Sequence, residues 1–282
     1  MQSESAGSEG ENASMSLRAF AAAACLILPI GAPARSAPLQ PSDKWHVFFD
    51  EAQCLAQRNY GSKERPIYLI LKQPALGDVL QVAVAKGAVI SEPTEFDGSF
   101  AFDNQAAQKA SFLIFRPKGE KLTVYSANVP LAGVEPARAA KTLKVRVKGL
   151  DETFSLASMG DLLSIMGSCA SDLAKYWNID ESGADVKIAQ HAKGNLRPLF
   201  SADDYPTQAL MFRETGRVKV ALLVNESGRV EDCSVIETSR VAVLDAQACA
   251  IIKERAKFAP AVGKDGKPAK DGFVQTINWG IG

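Results

Sequence analysis

The chain has 282 residues, 32 basic and 32 acidic side chains, two histidines, five cysteines and 46% hydrophobic residues. That hydrophobic share supplies an ordinary core and excludes global disorder. Zero net charge argues against a nucleic-acid partner, which needs a basic surplus to neutralise phosphates. The length fits one large domain or two smaller ones. An odd cysteine count needs an explanation, because disulfides form in pairs.

Met1 to Ser14 is polar and aperiodic. From Met15 a short positive stretch ending at Arg18 precedes the apolar run Ala19–Ile30, and small residues follow up to Ser36. This is the layout of a cleaved secretory signal, with translation expected to start at Met15. Twelve residues at about 1.5 Å each span roughly 18 Å, short of a hydrocarbon core of roughly 30 Å, so no retained membrane helix is expected. Ala22–Ala24 stands where a lipid-anchor motif at Cys25 would need a Leu-led sequence. Residues 1–36 are read as polar extension plus signal. Their removal takes Cys25 with them and leaves four cysteines and 30 basic against 29 acidic residues.

From Trp45 to Leu156 the chain reads as short strands separated by Gly, Pro, Asn and Asp. The runs are Trp45–Phe49, Gln53–Gln57, Ile67–Leu71, Val79–Val84, Ser111–Phe115, Leu122–Tyr125 and Leu143–Val147. Strict alternation over Leu143–Lys148 predicts one buried and one wet face. The segment Asp97–Asp103 lacks the remaining acidic ligands of a calcium loop and is read as a strand turn. Together these runs predict an antiparallel sandwich or barrel. The period then changes: Leu162, Ile165, Met166, Cys169, Leu173, Tyr176 and Trp177 recur at helical steps, predicting a covering helix over 158–178 with Ser158 and Asp161 as its capping box. The β-rich domain is placed at 37–179.

Residues 180–202 lose periodicity and carry Gly183, Gly194 and Pro198, the composition of a linker. Asp203–Pro206 predicts a helix start with proline at the first helical position, and Gly216 its end. Arg217–Val224 and Arg229–Glu237 read as a hairpin around Asn225–Gly228. A second helix is predicted from Leu244 to about Phe258, and a closing strand over Phe273–Trp279. The overall class is α+β.

The last segment resembles the TonB carboxy-terminal domain family. The matching residues are Asp204–Pro206 with Ala209, Gly216–Val218, Gly228–Val230, Leu244–Asp245, Lys257–Ala261 and Gly266–Pro268. The resemblance covers about residues 200–282, and the domain is placed at 203–282. It implies a periplasmic α-β-β-α-β domain with helices on one face of a small antiparallel sheet. The N-terminal region is faintly similar to the β-rich invasion-associated locus B family, through Trp45, Cys54 and its strand-rich run.

Four cysteines allow three pairings. Cys233–Cys249 stays within the C-terminal domain, and Cys54–Cys169 joins an early strand to the covering helix. In the chain-entropy model these close loops worth roughly 3 and roughly 4.7 kcal/mol. There is no C-x-x-C, no G-x-S-x-G elbow, no H-E-x-x-H and no phosphate-cradling glycine loop. The reading is therefore non-enzymatic, with no catalytic residues, no cofactor and no metal site.

Binding is the remaining chemistry. A three-stranded sheet has two edges, and the resemblance implies that the terminal strand, here Phe273, Val274, Gln275, Thr276, Ile277, Asn278 and Trp279, receives the TonB box of an outer-membrane transporter by strand addition. A TonB energy transducer needs a membrane helix and a long Pro-rich arm, and this chain shows neither. The expectation is a periplasmic, exported protein binding a peptide or protein of the cell envelope. The alternatives are a structural or homodimerising envelope protein, and a ligand-binding N-terminal domain with the TonB-like domain as accessory.

Overall fold

A computed structural model describes residues 37–281 apart from 50, 89, 91, 118 and 180–186. The expected signal and Cys25 lie outside the described residues. The N-terminal strands are β1 (His46–Phe49), β2 (Cys54–Asn59), β3 (Ile67–Gln73), β4 (Val79–Gly87), β5 (Thr94–Phe102), β6 (Gln108–Phe115), β7 (Leu122–Pro130), β8 (Thr142–Val147) and β9 (Leu150–Ser155), with the short helix α1 (Leu131–Val134) after β7. They form one antiparallel nine-stranded sheet in the order β1-β2-β3-β4-β7-β6-β5-β8-β9. The sheet curls into a half-barrel. Lys86 on β4 bonds Glu152 on β9 at 3.0 Å, and the rings of Tyr60 and Phe154 meet edge-on at 5.0 Å. Leu39 extends the β9 edge through a parallel bridge to Phe154.

The period-2 alternation does the sorting. Leu80, Val82 and Val84 of β4 and Leu143, Val145 and Val147 of β8 turn inward. Helix α2 (Met159–Tyr176) covers them with Leu162, Met166 and Leu173, and the fully buried Trp177 follows it. Cys54 and Cys169 are bonded, tying β2 to this helix. Ser158 does not cap α2 as its sequence position suggested. It sits in the left-handed region at φ 57°, and its side chain makes no capping hydrogen bond.

Of the strand turn expected at Asp97–Asp103, only Asp103, at φ 49°, lies in a turn, and residues 97–102 are instead part of β5. Gly98 belongs there for a packing reason: a Cβ would lie 2.6 Å from the Arg146 carbonyl oxygen and 2.7 Å from the Phe112 ring. Strand β9 was another run that composition alone did not separate.

The C-terminal half carries β10 (Ile188–Gln190), α3 (Thr207–Met211), β11 (Gly216–Val224), β12 (Val230–Glu237), α4 (Ala242–Arg255), β13 (Ala261–Gly263), β14 (Pro268–Ala269) and β15 (Asp271–Trp279). One three-stranded sheet has the order β12-β11-β15, and a second joins β10, β13 and β14. Val218, Val220, Leu222 and Val224 pack under Leu244, Ala248, Ile251 and Ile252 of α4. Cys233 of β12 is bonded to Cys249 of α4. Pro206 precedes α3 rather than opening it, and the helix stops five residues before Gly216, where Arg213 takes φ 52°.

Residues 188–200, expected as linker, contribute to this half. Ile188 pairs with Gly263, Lys193 bridges Ala259, and Leu196, Leu199 and Phe200 join the core around α4. Ala221 and Leu223 are also buried, so β11 is covered on both faces. Leu223 packs into the N-terminal core, and Gly272 beside it leaves the space that Ile179 fills.

Candidate partner-binding edge

Strand β15 pairs with β11 over its whole length, from Asp271 opposite Val224 to Trp279 opposite Gly216. Asp271, at 0% exposure, anchors its start: its carboxylate accepts the Ala192 backbone N–H at 2.7 Å and faces His191 Nδ1 at 3.1 Å. Phe273, Ile277 and Trp279 turn toward the C-terminal core, and Val274 is half-buried. Gln275, Thr276 and Asn278 are exposed. Among the described residues no strand pairs with the outer edge of β15.

A groove of about 500 Å3 runs beside that edge, walled by Gly194–Arg197 and Phe200 on one side and Gln275–Trp279 on the other. Its end is built from aromatic contacts. Phe200 and Tyr205 each meet Trp279 edge-on at 5.4 Å, a favourable arrangement of ring quadrupoles. The Tyr205 hydroxyl donates to the Glu214 carbonyl at 2.6 Å, and burial, reinforced by Glu214, pushes its pKa up. Trp279 Nε1 is buried and has no partner among the described residues.

The groove wall is held by charge. Arg255 at the end of α4 donates to Asp204 Oδ2 at 2.8 Å and to the Leu199 carbonyl at 3.0 Å. Asp204 also closes a capping box with Ser201. The Arg255 hydrogen bond first, then the two from Ser201, hold the Asp204 carboxyl well below the usual carboxylate range. Residues 199–204 are thus fixed to α4, and Phe200 with them.

The opposite edge of the sheet is covered. The Val235 carbonyl of β12 accepts from Asn128 Nδ2 at 2.7 Å and from Gln81 Nε2 at 3.4 Å, both on the outer face of the large sheet. Lys72 reaches Ser234 Oγ at 3.2 Å and Asp232 at 3.6 Å. Further along, the Thr238 hydroxyl lies between Glu95, at 3.2 Å, and Asp245, with Ser111 donating to Glu95 from the other side. Burial raises the pKa of both carboxyls. Arg240 meets Asp97 at 3.4 Å on the rim.

Of the seven predicted site residues, the structure turns Phe273, Ile277 and Trp279 toward the core, leaves Val274 half-buried and puts Gln275, Thr276 and Asn278 in solvent, all on one edge strand. Sequence reasoning missed the facing wall, Asn195, Leu196, Arg197 and Phe200. Its signal was present in the apolar spacing of Leu196, Leu199 and Phe200 inside the segment read as linker. No cluster of His, Cys, Asp and Glu that could hold a metal occurs among the described residues. Among them, no helix is long and apolar enough to cross a membrane.

No curated protein and no solved structure matches the chain. Residues 201–281 do match the family model described as the Gram-negative bacterial TonB protein C-terminal. That match spans β11, β12, α4 and β15 in the order just described, and the last third of the chain is accordingly a TonB C-terminal domain, of a family associated with protein interactions in the envelope.

Proposed function

We propose that this is a non-enzymatic periplasmic protein, exported by its N-terminal signal, whose C-terminal domain holds an extended segment of an envelope protein by strand addition to β15. An outer-membrane transporter bearing a TonB box is the partner this reading favours. The observation that carries it is the asymmetry of the small sheet: the β12 edge is occupied by side chains of the large sheet, and the β15 edge borders a groove. An added strand satisfies its backbone on β15, while its alternate side chains drop into the groove. In this division the 37–179 domain covers one edge, and 187–282 presents the other. The curled sheet's interior is filled by apolar side chains, which favours this role over ligand binding by the N-terminal domain.

The test uses the chain from residue 37 onward and immobilised TonB-box peptides. Adjacent residues of a strand turn their N–H groups to opposite sides, so either Gln275→Pro or Thr276→Pro removes an outward donor and obstructs the edge. The outward variant is expected to keep its circular-dichroism spectrum and lose capture. Undiminished capture by both folded variants refutes strand addition here. Light scattering then decides whether a second copy occupies the edge instead.

A further inference from the structure

The groove beside β15 carries an uneven charge. Its walls hold one ionisable side chain, Arg197, and no carboxylate. The Arg197 guanidinium is exposed and forms no ion pair among the described residues. The groove's apolar surface comes from Leu196, Phe200, Ile277 and Trp279, and Asn195, Gln275, Thr276 and Asn278 add neutral polar groups. On the other face of the sheet the arrangement repeats. Arg217 stands directly across from Asn278 in the β11–β15 register and is exposed. It too forms no ion pair among the described residues, whereas its neighbour on that face, Lys219, is taken up by Glu237 at 2.8 Å.

Strand geometry turns these two positions into a recognition rule. A strand added to β15 lies about 4.8 Å beyond it, and its successive side chains alternate between the two faces. Those on the core side enter the groove beside Arg197. Those on the other side lie over Thr276 and Asn278, within reach of an extended Arg217 side chain. Guanidinium groups bind carboxylates in a planar, bidentate manner.

We infer that the segment accepted by this edge is acidic as well as extended: one carboxylate for Arg197 on the groove face, next to an apolar residue seated on Phe200 and Trp279, and a second carboxylate for Arg217 on the opposite face. The domain's overall neutrality, 11 basic and 11 acidic residues over 201–282, hides this local polarity. The inference rests on the strand-addition reading and adds to it the chemistry of the occupant. Its energetic expression is mainly steering and selectivity, because both guanidiniums remain partly solvated.

The experiment is fluorescence anisotropy on the chain from residue 37 onward, with three extended peptides of equal length and apolar pattern. One carries two carboxylates on opposite faces, the second has glutamines there, and the third has lysines. The acidic peptide is expected to bind about tenfold more tightly than the glutamine peptide, with the gap closing as salt rises toward about 0.5 M. The double variant Arg197→Glu/Arg217→Glu, both changes at exposed positions, is expected to reverse the order in favour of the lysine peptide. Equal binding of all three peptides overturns the charge rule and leaves strand addition standing. No binding by any peptide overturns both.

Discussion

The covering of the β12 edge rests on one carbonyl with two donors, which gives a sharp expectation for Asn128→Ala. Asn128 Nδ2 lies 2.7 Å from the Val235 oxygen, a well-formed bond, whereas Gln81 Nε2 reaches the same oxygen at 3.4 Å, near the limit of a useful one. A neutral hydrogen bond nets about 0.5–1.5 kcal/mol, and a buried carbonyl left without any donor costs about 1–3 kcal/mol. Removing Asn128 alone leaves Gln81 in place, so the loss is about 1 kcal/mol; removing Gln81 alone costs about 0.5 kcal/mol. Removing both strands the carbonyl and costs about 2.5 kcal/mol, about 1 kcal/mol more than the sum of the single changes. With a urea slope of about 3 kcal/mol/M, the midpoints fall by about 0.3, 0.2 and 0.8 M respectively. Urea titration followed by circular dichroism measures all three. A double variant whose midpoint falls by no more than the two single shifts combined refutes the shared-carbonyl account of this edge.

Other changes probe the turn, the buried acids and the disulfides. Gly228 has φ 79°, and a Cβ there would sit 1.9 Å from the Phe258 carbonyl oxygen, so Gly228→Ala is expected to cost at least about 3 kcal/mol by urea titration. Gly266, at φ 77° with nothing within 4 Å, serves as the control; Gly266→Ala should cost only about 1 kcal/mol. Burial raises the Glu95 pKa in the folded protein. Its contribution is therefore fully present below the unfolded carboxylate pKa of about 4.3 and lost as pH rises through the folded value. Glu95→Gln should remove that loss, so the stability difference between variant and parent should grow in the variant's favour from pH 4 toward neutrality; parallel stability–pH curves count against it. Replacing Cys233 and Cys249 by alanine, which opens a loop of separation 16, should lower stability by about 3 kcal/mol. A thermal or urea titration that leaves the midpoint unmoved removes that bond from the account of the C-terminal core.

Local pattern carried most of the elements. The alternation of Leu143, Val145 and Val147 and the helical spacing of Leu162, Met166 and Leu173 each reflect one buried face, which is what periodicity reports. It failed where burial came from elsewhere in the molecule. Gly98 and Asp97 look like turn residues, yet Gly98 is required by the approach of Phe112 and the Arg146 backbone. Residues 188–200 look like linker, because their stabilising partners, Gly263, Ala259 and the Arg255 side chain, are more than fifty residues away in sequence. The seven residues of the terminal strand could be named from the sequence as an edge; the facing wall left only the apolar spacing of Leu196, Leu199 and Phe200, which does not say what those residues pack against.

The same principle bears on the asymmetry of the small sheet, whose β15 edge is unpaired among the described residues. The outer face of the large sheet carries Lys72, Gln81, Glu95, Ser111 and Asn128, the polar set expected of a solvated antiparallel face. Each instead has its hydrogen-bond partner on β12 or in the Thr238 turn beyond it, or, for Ser111, bonds the Glu95 that faces that turn. Polar side chains can cap a strand edge without becoming a strand, since they satisfy individual carbonyls and leave no continuous ladder to extend. On β12 the Val235 carbonyl is capped in this way, whereas the β15 backbone has no such donors against it among the described residues. The N-terminal sheet thus makes the small sheet asymmetric: its β12 side meets side chains of the same chain, and its β15 side is paired by no further strand among the described residues.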